Sequence, residues 1–153
     1  MDAAPRDYPP ADVSPDLRPG IAYRFQYKVP VEKTVPHIYR EFGELQEMPQ
    51  VFATGFMVAL IETTCVLALK PYLDWPREQT VGTHVNLSHL AATPPGHVVT
   101  VECEVTEVEG RRIRFRVSAR DENDLISEGS HDRAVIDSDR FNQRVEAKKK
   151  APD

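Results

Sequence analysis

The sequence predicts an α+β domain, an antiparallel sheet wrapped around one long buried helix. Two observations predict it. The stretch 56–69 (FMVALIETTCVLAL) has helix length, contains no Gly or Pro, and carries apolar residues on every face, the pattern of a helix buried on all sides. Around it lie segments of two-residue periodicity, one before the helix and four after it, each reading as a strand with one buried face.

In chain order, residues 1–20 hold five of the thirteen prolines and almost no consecutive apolar residues. This leader is expected to be extended or disordered, with nothing to dock. The folded domain is expected over 21–146 and a disordered basic tail over 147–153. Ile21, Tyr23, Phe25, Tyr27 and Val29 alternate with polar or small residues, giving the first strand, which Pro30 ends. From Val31 to Met48 the pattern weakens to short helical turns. Apolar Phe42, Leu45 and Met48 in a polar segment make it either a lid over the helix or an ordinary connector. Ala53-Thr54-Gly55 then starts the helix, bringing a hydroxyl and free N–H groups to its positive end. Pro71 marks its end, with Lys70 suited to the negative end of the dipole.

After the turn-rich link 74–80, the segment Val81–Ala92 alternates, placing Val85, Leu87, His89 and Ala91 on one face and His84 on the other. The two histidines therefore cannot share a metal from this strand. The strands at 99–105 and 113–119 follow. Their facing parity is incompatible with a two-residue loop at Glu109-Gly110, so a longer loop or a bulge is expected. Glu104 is expected to pair with Arg114 or Arg116 on the outer face. A final strand over 125–136 and a short terminal helix over 137–145, anchored by Phe141 and Val145, complete the order. One strand, a long helix and four consecutive strands describe the hotdog arrangement. Such a sheet, covered on one face only, is expected to extend edge to edge in a homodimer with the pocket between subunits.

The totals narrow the function. A formal charge of −5 and no Lys/Arg stripe interleaved with aromatics argue against nucleic acid. Cys65 and Cys103 lie in apolar surroundings without CxxC spacing, reading as core residues of a reducing compartment and not as a disulfide or a metal site. The helix reads as too short and too interrupted by Glu62, Thr63 and Thr64 to span a membrane, and no N-terminal signal is visible. A cytoplasmic protein is expected.

Two residues break the apolar pattern. Glu62 is the one ionisable residue in the helix, and a carboxylate leaving water must be paired, hydrogen-bonded or neutralised. It reads as a catalyst, or as a carboxylate meeting solvent or a structural partner. His89, on an apolar strand face, reads as a base or as a satisfied core histidine.

At Val51-Phe52-Ala53-Thr54-Gly55-Phe56-Met57-Val58, Glu62, Cys65-Val66 and Pro71-Tyr72-Leu73, the chain resembles the fluoroacetyl-CoA thioesterase family of hotdog enzymes. The resemblance continues at Val81-Gly82-Thr83, His89, Ala91-Ala92, Pro94-Pro95-Gly96, 108–112, 116–119, Gly129-Ser130-His131 and 133–136, covering about Thr34 to Asn142. It implies that Thr54, Glu62 and His89 are catalytic and that Gly82 and Arg133 lie near the substrate. Gly82 would present its N–H to the thioester oxygen, and Arg133 would hold the pocket or meet the negatively charged part of the substrate. The implied reaction is hydrolysis of a short acyl-CoA, with CoA part of the substrate and no separate cofactor. The chain departs from the fluoroacetyl-selective members in the lid, where Leu45 and Met48 replace aromatic residues. Those flexible side chains lack the partial positive edge and rigid shape of an aromatic ring, so selectivity for the fluorinated acyl group is not expected. The rival readings are a hotdog hydratase or dehydratase and a non-catalytic acyl-CoA-binding protein.

Overall fold

The computed structural model describes residues 13–149. Strands β1 (Ala22–Lys28), β2 (Glu78–Leu87), β3 (Val98–Glu109), β4 (Arg112–Arg120) and β5 (Leu125–Asp137) form one sheet in the order β1-β3-β4-β5-β2, every pairing antiparallel. Helices α1 (Gly43–Gln46), α2 (Thr54–Leu69) and α3 (Ser138–Lys148) accompany it. The alternation read from the sequence sets the core: Val99, Val101, Cys103 and Val105 of β3 and Ile113, Phe115, Val117 and Ala119 of β4 are buried on the face that receives α2. The hotdog arrangement expected from the sequence is present.

The helix departs from expectation in one respect. Within a single chain α2 is buried on one side only. Met57, Leu60, Ile61, Thr64, Cys65, Ala68 and Leu69 are buried, a stripe at three- and four-residue spacing. Ala59 and Thr63 are exposed, and Phe56, Val58, Glu62, Val66 and Leu67 are only partly covered. The sheet has one face to offer, so the second apolar side of the cylinder is only partly covered by the described residues. Thr63 and Thr64 satisfy their hydroxyls on the carbonyls of Ala59 and Leu60, which lets threonine sit mid-helix without an orphan donor. With the turn at Lys70–Tyr72 the helix is long and apolar enough by composition to cross a bilayer, so length alone does not set membrane spanning aside. What the structure shows is its buried stripe packed on the sheet.

Strand β2 begins earlier and ends sooner than the alternation suggested. It pairs with β5 from Glu78 to Leu87, and a bulge between Gly82 and His84 shifts the register. Beyond Leu87 the chain leaves the strand but stays tied to β5, through Ser88 N–H to the Glu128 carbonyl (3.1 Å) and Leu90 N–H to the Ile126 carbonyl (2.8 Å). The parity conflict at the β3–β4 hairpin is resolved by a bulge between Val105 and Glu107, with Glu109 pairing Arg112. Glu104 faces Arg116 and forms an ion pair with it. Terminal helix α3 is capped by Asp137, which accepts from the N–H groups of Asp139 and Arg140. Phe141 is half-buried but Val145 is exposed, so the expected second anchor is absent from the packing. The helix also runs through residues 147 and 148, which were expected to belong to a loose tail.

The leader needs a correction. Residues 1–12 lie outside the described residues, but 13–20 dock. Leu17 is 4% exposed within the core cluster and Val13 packs against it. A turn at Ser14–Leu17 aims the side chain, and Gly20 N–H reaches the Val105 carbonyl at 2.9 Å. A single buried leucine has no periodicity to betray it. Leu17→Ala is expected to cost about 2–3 kcal/mol, read as a lowered midpoint in urea unfolding; an unchanged midpoint would return these residues to the leader.

Candidate active site

Two features hold Thr54 in place. Phe52 N–H bonds to the Thr93 carbonyl (2.7 Å) and Ala53 N–H to the Lys33 carbonyl (3.0 Å), fixing the approach to α2. Ala53 occupies the cap position with no side-chain acceptor, so the first N–H groups of α2 point out beside the Thr54 hydroxyl. The segment carrying His89 is held by the Ser88 and Leu90 bonds to β5, and further along by Thr93 Oγ1 donating to Asp121 Oδ2 (2.8 Å). Since Phe52 bonds to Thr93 itself, the two segments are fixed to each other. The result is a Thr54 Oγ1 to His89 Nδ1 distance of 2.7 Å.

The other ring nitrogen of His89, Nε2, is buried without a hydrogen-bond partner among the described residues. Burial pulls the His89 pKa below its ordinary value, opposed in part by the Ala91 backbone. A ring kept neutral near pH 7 can accept the threonine proton at Nδ1.

Glu62 lies elsewhere. It is eight residues beyond Thr54 on α2, about 12 Å along the helix axis, too far for a direct bond. Its Oε1 is 3.4 Å from Arg133 Nη1 and 3.7 Å from His131 Nε2, with the carboxylate side chain 37% exposed. Both expectations for this residue therefore have a physical counterpart: the carboxylate has an internal partner and is still reachable from outside.

Arg133 is 5% exposed. Its Nε donates to Thr80 Oγ1 and its Nη2 to the Thr80 carbonyl, each at 2.8 Å. Burial pulls its pKa down, and the Glu62 charge opposes that. A guanidinium so enclosed can hold the pocket but cannot reach out to a charged part of the substrate, so of the two expected roles only the first fits. Gly82 pairs with Arg133 across β2 and β5. A Cβ there would overlap Glu62 Oε1: the glycine makes room for the carboxylate, a reason the sequence did not reveal.

Leu45 is half-buried on α1 and Met48 is 47% exposed. Helix α1 packs on the preceding turn at Val35–His37, and Tyr39 and Phe42 beside it stack edge to face, both exposed. The expected short helical turns are present. A broad groove of about 780 Å³ on the outer face of the sheet, lined by Tyr23, Arg24, Glu104 and Arg116, contains none of the candidate residues.

Sequence reading did not single out Thr80 or His131. The usable signal was parity: His131 and Arg133 are two apart on one strand and so share a face.

A site with a hydroxyl–imidazole pair at a helix N-terminus and a carboxylate farther along the same helix invites comparison with known enzymes. The family model described as fluoroacetyl-CoA-specific thioesterase matches residues 32–139. The chain belongs to that family. It is 50% identical over 132 residues to the fluoroacetyl-CoA thioesterase of Streptantibioticus cattleyicolor, covering 86% of this chain and 94% of the relative. Among solved structures, a threonine-to-serine mutant of a fluoroacetyl-CoA thioesterase in complex with acetyl-CoA matches with TM-score 0.84 and 49% identity, over 86% of this chain and 98% of that one. A phenylalanine-to-alanine mutant in complex with fluoroacetate and CoA matches with TM-score 0.80 and 51% identity, over 82% and 100%. A thioesterase superfamily member from Thermus thermophilus matches with TM-score 0.74 and 29% identity, over 88% and 96%. These likenesses bear out the hotdog α+β fold and the family resemblance read from the sequence.

The crowding at Gly82 gives this thioesterase-family member a direct probe. Gly82→Ala must displace the far end of Glu62 rather than backbone, so folding is expected to survive with a melting temperature within about 3 °C of wild type, a shift of order 1 kcal/mol or less. Thiol release should fall by about 10-fold or more. Full activity with a normal melting point would mean that the position of Glu62 does not matter.

Proposed function

We propose that the chain hydrolyses short acyl-CoA thioesters, adding water across the C–S bond to give the free acid and CoA thiol. The observation that carries this is the 2.7 Å contact between Thr54 Oγ1 and His89 Nδ1 at the N-terminus of α2. His89, neutral and half-buried, acts as base. The hydroxyl of Thr54 either attacks the thioester carbonyl as it gives up its proton, or orients the water that does. The exposed N–H groups at the start of α2 suit the oxyanion that forms. Glu62 supplies negative charge that activates or orients. CoA enters as part of the substrate, and the residues invoked need no further cofactor. A cytoplasmic location suits two unbridged, buried cysteines.

The acyl group follows from the lid. The curated relative acts on fluoroacetyl-CoA, and solved relatives hold acetyl-CoA or fluoroacetate. Leu45 and Met48 here are aliphatic and flexible, which supports a small acyl group with no strong preference for fluorine. Nothing in the site favours a hydratase, and the intact Thr54–His89 contact argues against a protein that only binds. Thiol release from acetyl-, fluoroacetyl- and longer acyl-CoAs tests the reading. Release within about 10-fold for acetyl and fluoroacetyl, together with a loss of about 10²-fold in Glu62→Gln, is expected. No release from any acyl-CoA would overturn it. Gln can still accept from Arg133, and the pair is partly exposed, so the variant should lose no more than about 1 kcal/mol.

A homodimer completes the reading. Thr54 and Glu62 are too far apart within one chain, β2 is an edge strand with Val85 44% exposed on the helix side, and the outer side of α2 is apolar. A second copy along β2 would cover both surfaces and bring the carboxylate of one chain toward the Thr54–His89 pair of the other. Light scattering at micromolar concentration should give twice the 17.3 kDa chain mass; a monomer that still releases thiol would remove the need for a partner.

A further inference from the structure

His131 is fully buried on β5, two residues before Arg133, and has no role in the chemistry above. Its two ring nitrogens meet partners that admit a single protonation state. Nδ1 lies 2.8 Å from the His84 carbonyl oxygen, which can only accept a hydrogen bond. Nε2 lies 3.1 Å from Arg133 Nη1, which can only donate. The imidazole is therefore neutral, with its proton on Nδ1 and a lone pair facing the guanidinium. Its surroundings agree: burial lowers its pKa, the His84 carbonyl opposes this, the Arg133 charge lowers it further, and Glu62 and Asp132 pull the other way.

This tautomer determines how much of Arg133 is left for Glu62. Two edges of the guanidinium are fixed by Thr80, through Nε and Nη2. Nη1 has two hydrogens, one taken by His131 Nε2 and one directed at Glu62 Oε1, 3.4 Å away. Nε2 and Oε1 are themselves 3.7 Å apart, two acceptors held near each other only by the donor between them. Remove the acceptor at 131 and Nη1 becomes a buried donor with the carboxylate as its remaining partner. Glu62 would then be drawn toward the sheet and away from the exposed side of its pocket.

We infer that His131 is a positioning residue of the hydrolysis: as a neutral acceptor it occupies one hydrogen of Arg133 Nη1 and so holds the Glu62 carboxylate at the open side of the site. The kinetic part rests on the thioesterase reading; the structural part does not.

Three measurements on the full chain test it. In a ¹H–¹⁵N spectrum tuned to imidazole couplings, His131 should carry its proton on Nδ1 alone at neutral pH; a proton on Nε2 would overturn the inference. In crystal structures of the variants, Glu62 Oε1 should lie closer to Arg133 Nη1 in His131→Leu than the 3.4 Å of the wild type, and near that distance in His131→Gln, whose side-chain oxygen can replace the Nε2 acceptor. An unchanged Glu62–Arg133 distance in a folded His131→Leu would sink the idea. In thiol release, His131→Leu should lose about 10-fold or more in kcat with KM nearly constant, as for a misplaced catalytic group, and His131→Gln should recover most of that loss. Equal losses in the two variants would mark His131 as packing only. If His131→Leu does not fold, the wild-type tautomer and the Glu62 position in His131→Gln decide: a carboxylate displaced although the acceptor is kept would overturn the inference. If the wild type releases no thiol, the thioesterase reading fails, while the tautomer and the carboxylate position still test this one.

Discussion

One constraint shapes this protein: α2 is apolar on two sides and the sheet can cover only one of them. Burying Met57, Ile61, Cys65 and Leu69 against β3 and β4 supplies the hydrophobic term that holds a domain of this size together. The other side, with Phe56, Val58, Val66 and Leu67 half-covered, contributes only part of its apolar surface until something else covers it. The candidate site lies on the boundary between these two sides. Thr54 begins the helix there, and Glu62 stands between the packed stripe and the open one, where a carboxylate can have an internal partner and an outward path at once.

That position explains the polar chemistry beneath the helix. A guanidinium 5% exposed is tolerable only if its donors are met. Thr80 meets two, His131 one and Glu62 another. Each partner comes from a different place in the sequence: Thr80 from β2, His131 from β5 beside Arg133, and Glu62 from α2. The register between β2 and β5 sets the first, strand alternation the second, and the missing side chain at Gly82 the third. The ion pair is long and partly exposed, so its value is in placing a charge more than in adding stability.

Legibility in the sequence follows the same physics. Strands β3, β4 and β5 were readable because alternation is local and one face is buried. The oddity of Glu62 and His89 was readable for the same reason, since a polar residue interrupts a local pattern. What was not readable depended on long-range geometry. The buried guanidinium that Glu62 meets is 71 residues away, and nothing local announces it. The end of β2 was misplaced because an edge strand with a bulge after Gly82 keeps its alternation in sequence while losing it in space. Leu17 was missed because one apolar residue has no period, and the one-sided burial of α2 because an apolar cylinder looks the same whether its second side meets its own chain or another.

The last point bears on why the helix pattern and the site are inseparable. Had the outer side of α2 been polar, Glu62 would sit in water, its attraction to Arg133 screened and its reach toward a thioester unspecific. Had the sheet covered both sides, the carboxylate would be sealed beneath packing and unable to touch a substrate. In the proposed reaction Glu62 would act best at an apolar surface that is open in the single chain and dry once covered, because charge placed in a water-excluded pocket acts far more strongly on a developing transition state. On that proposal, the apolar residues around it, Val58, Ala59 and Val66, would serve the chemistry as much as the fold.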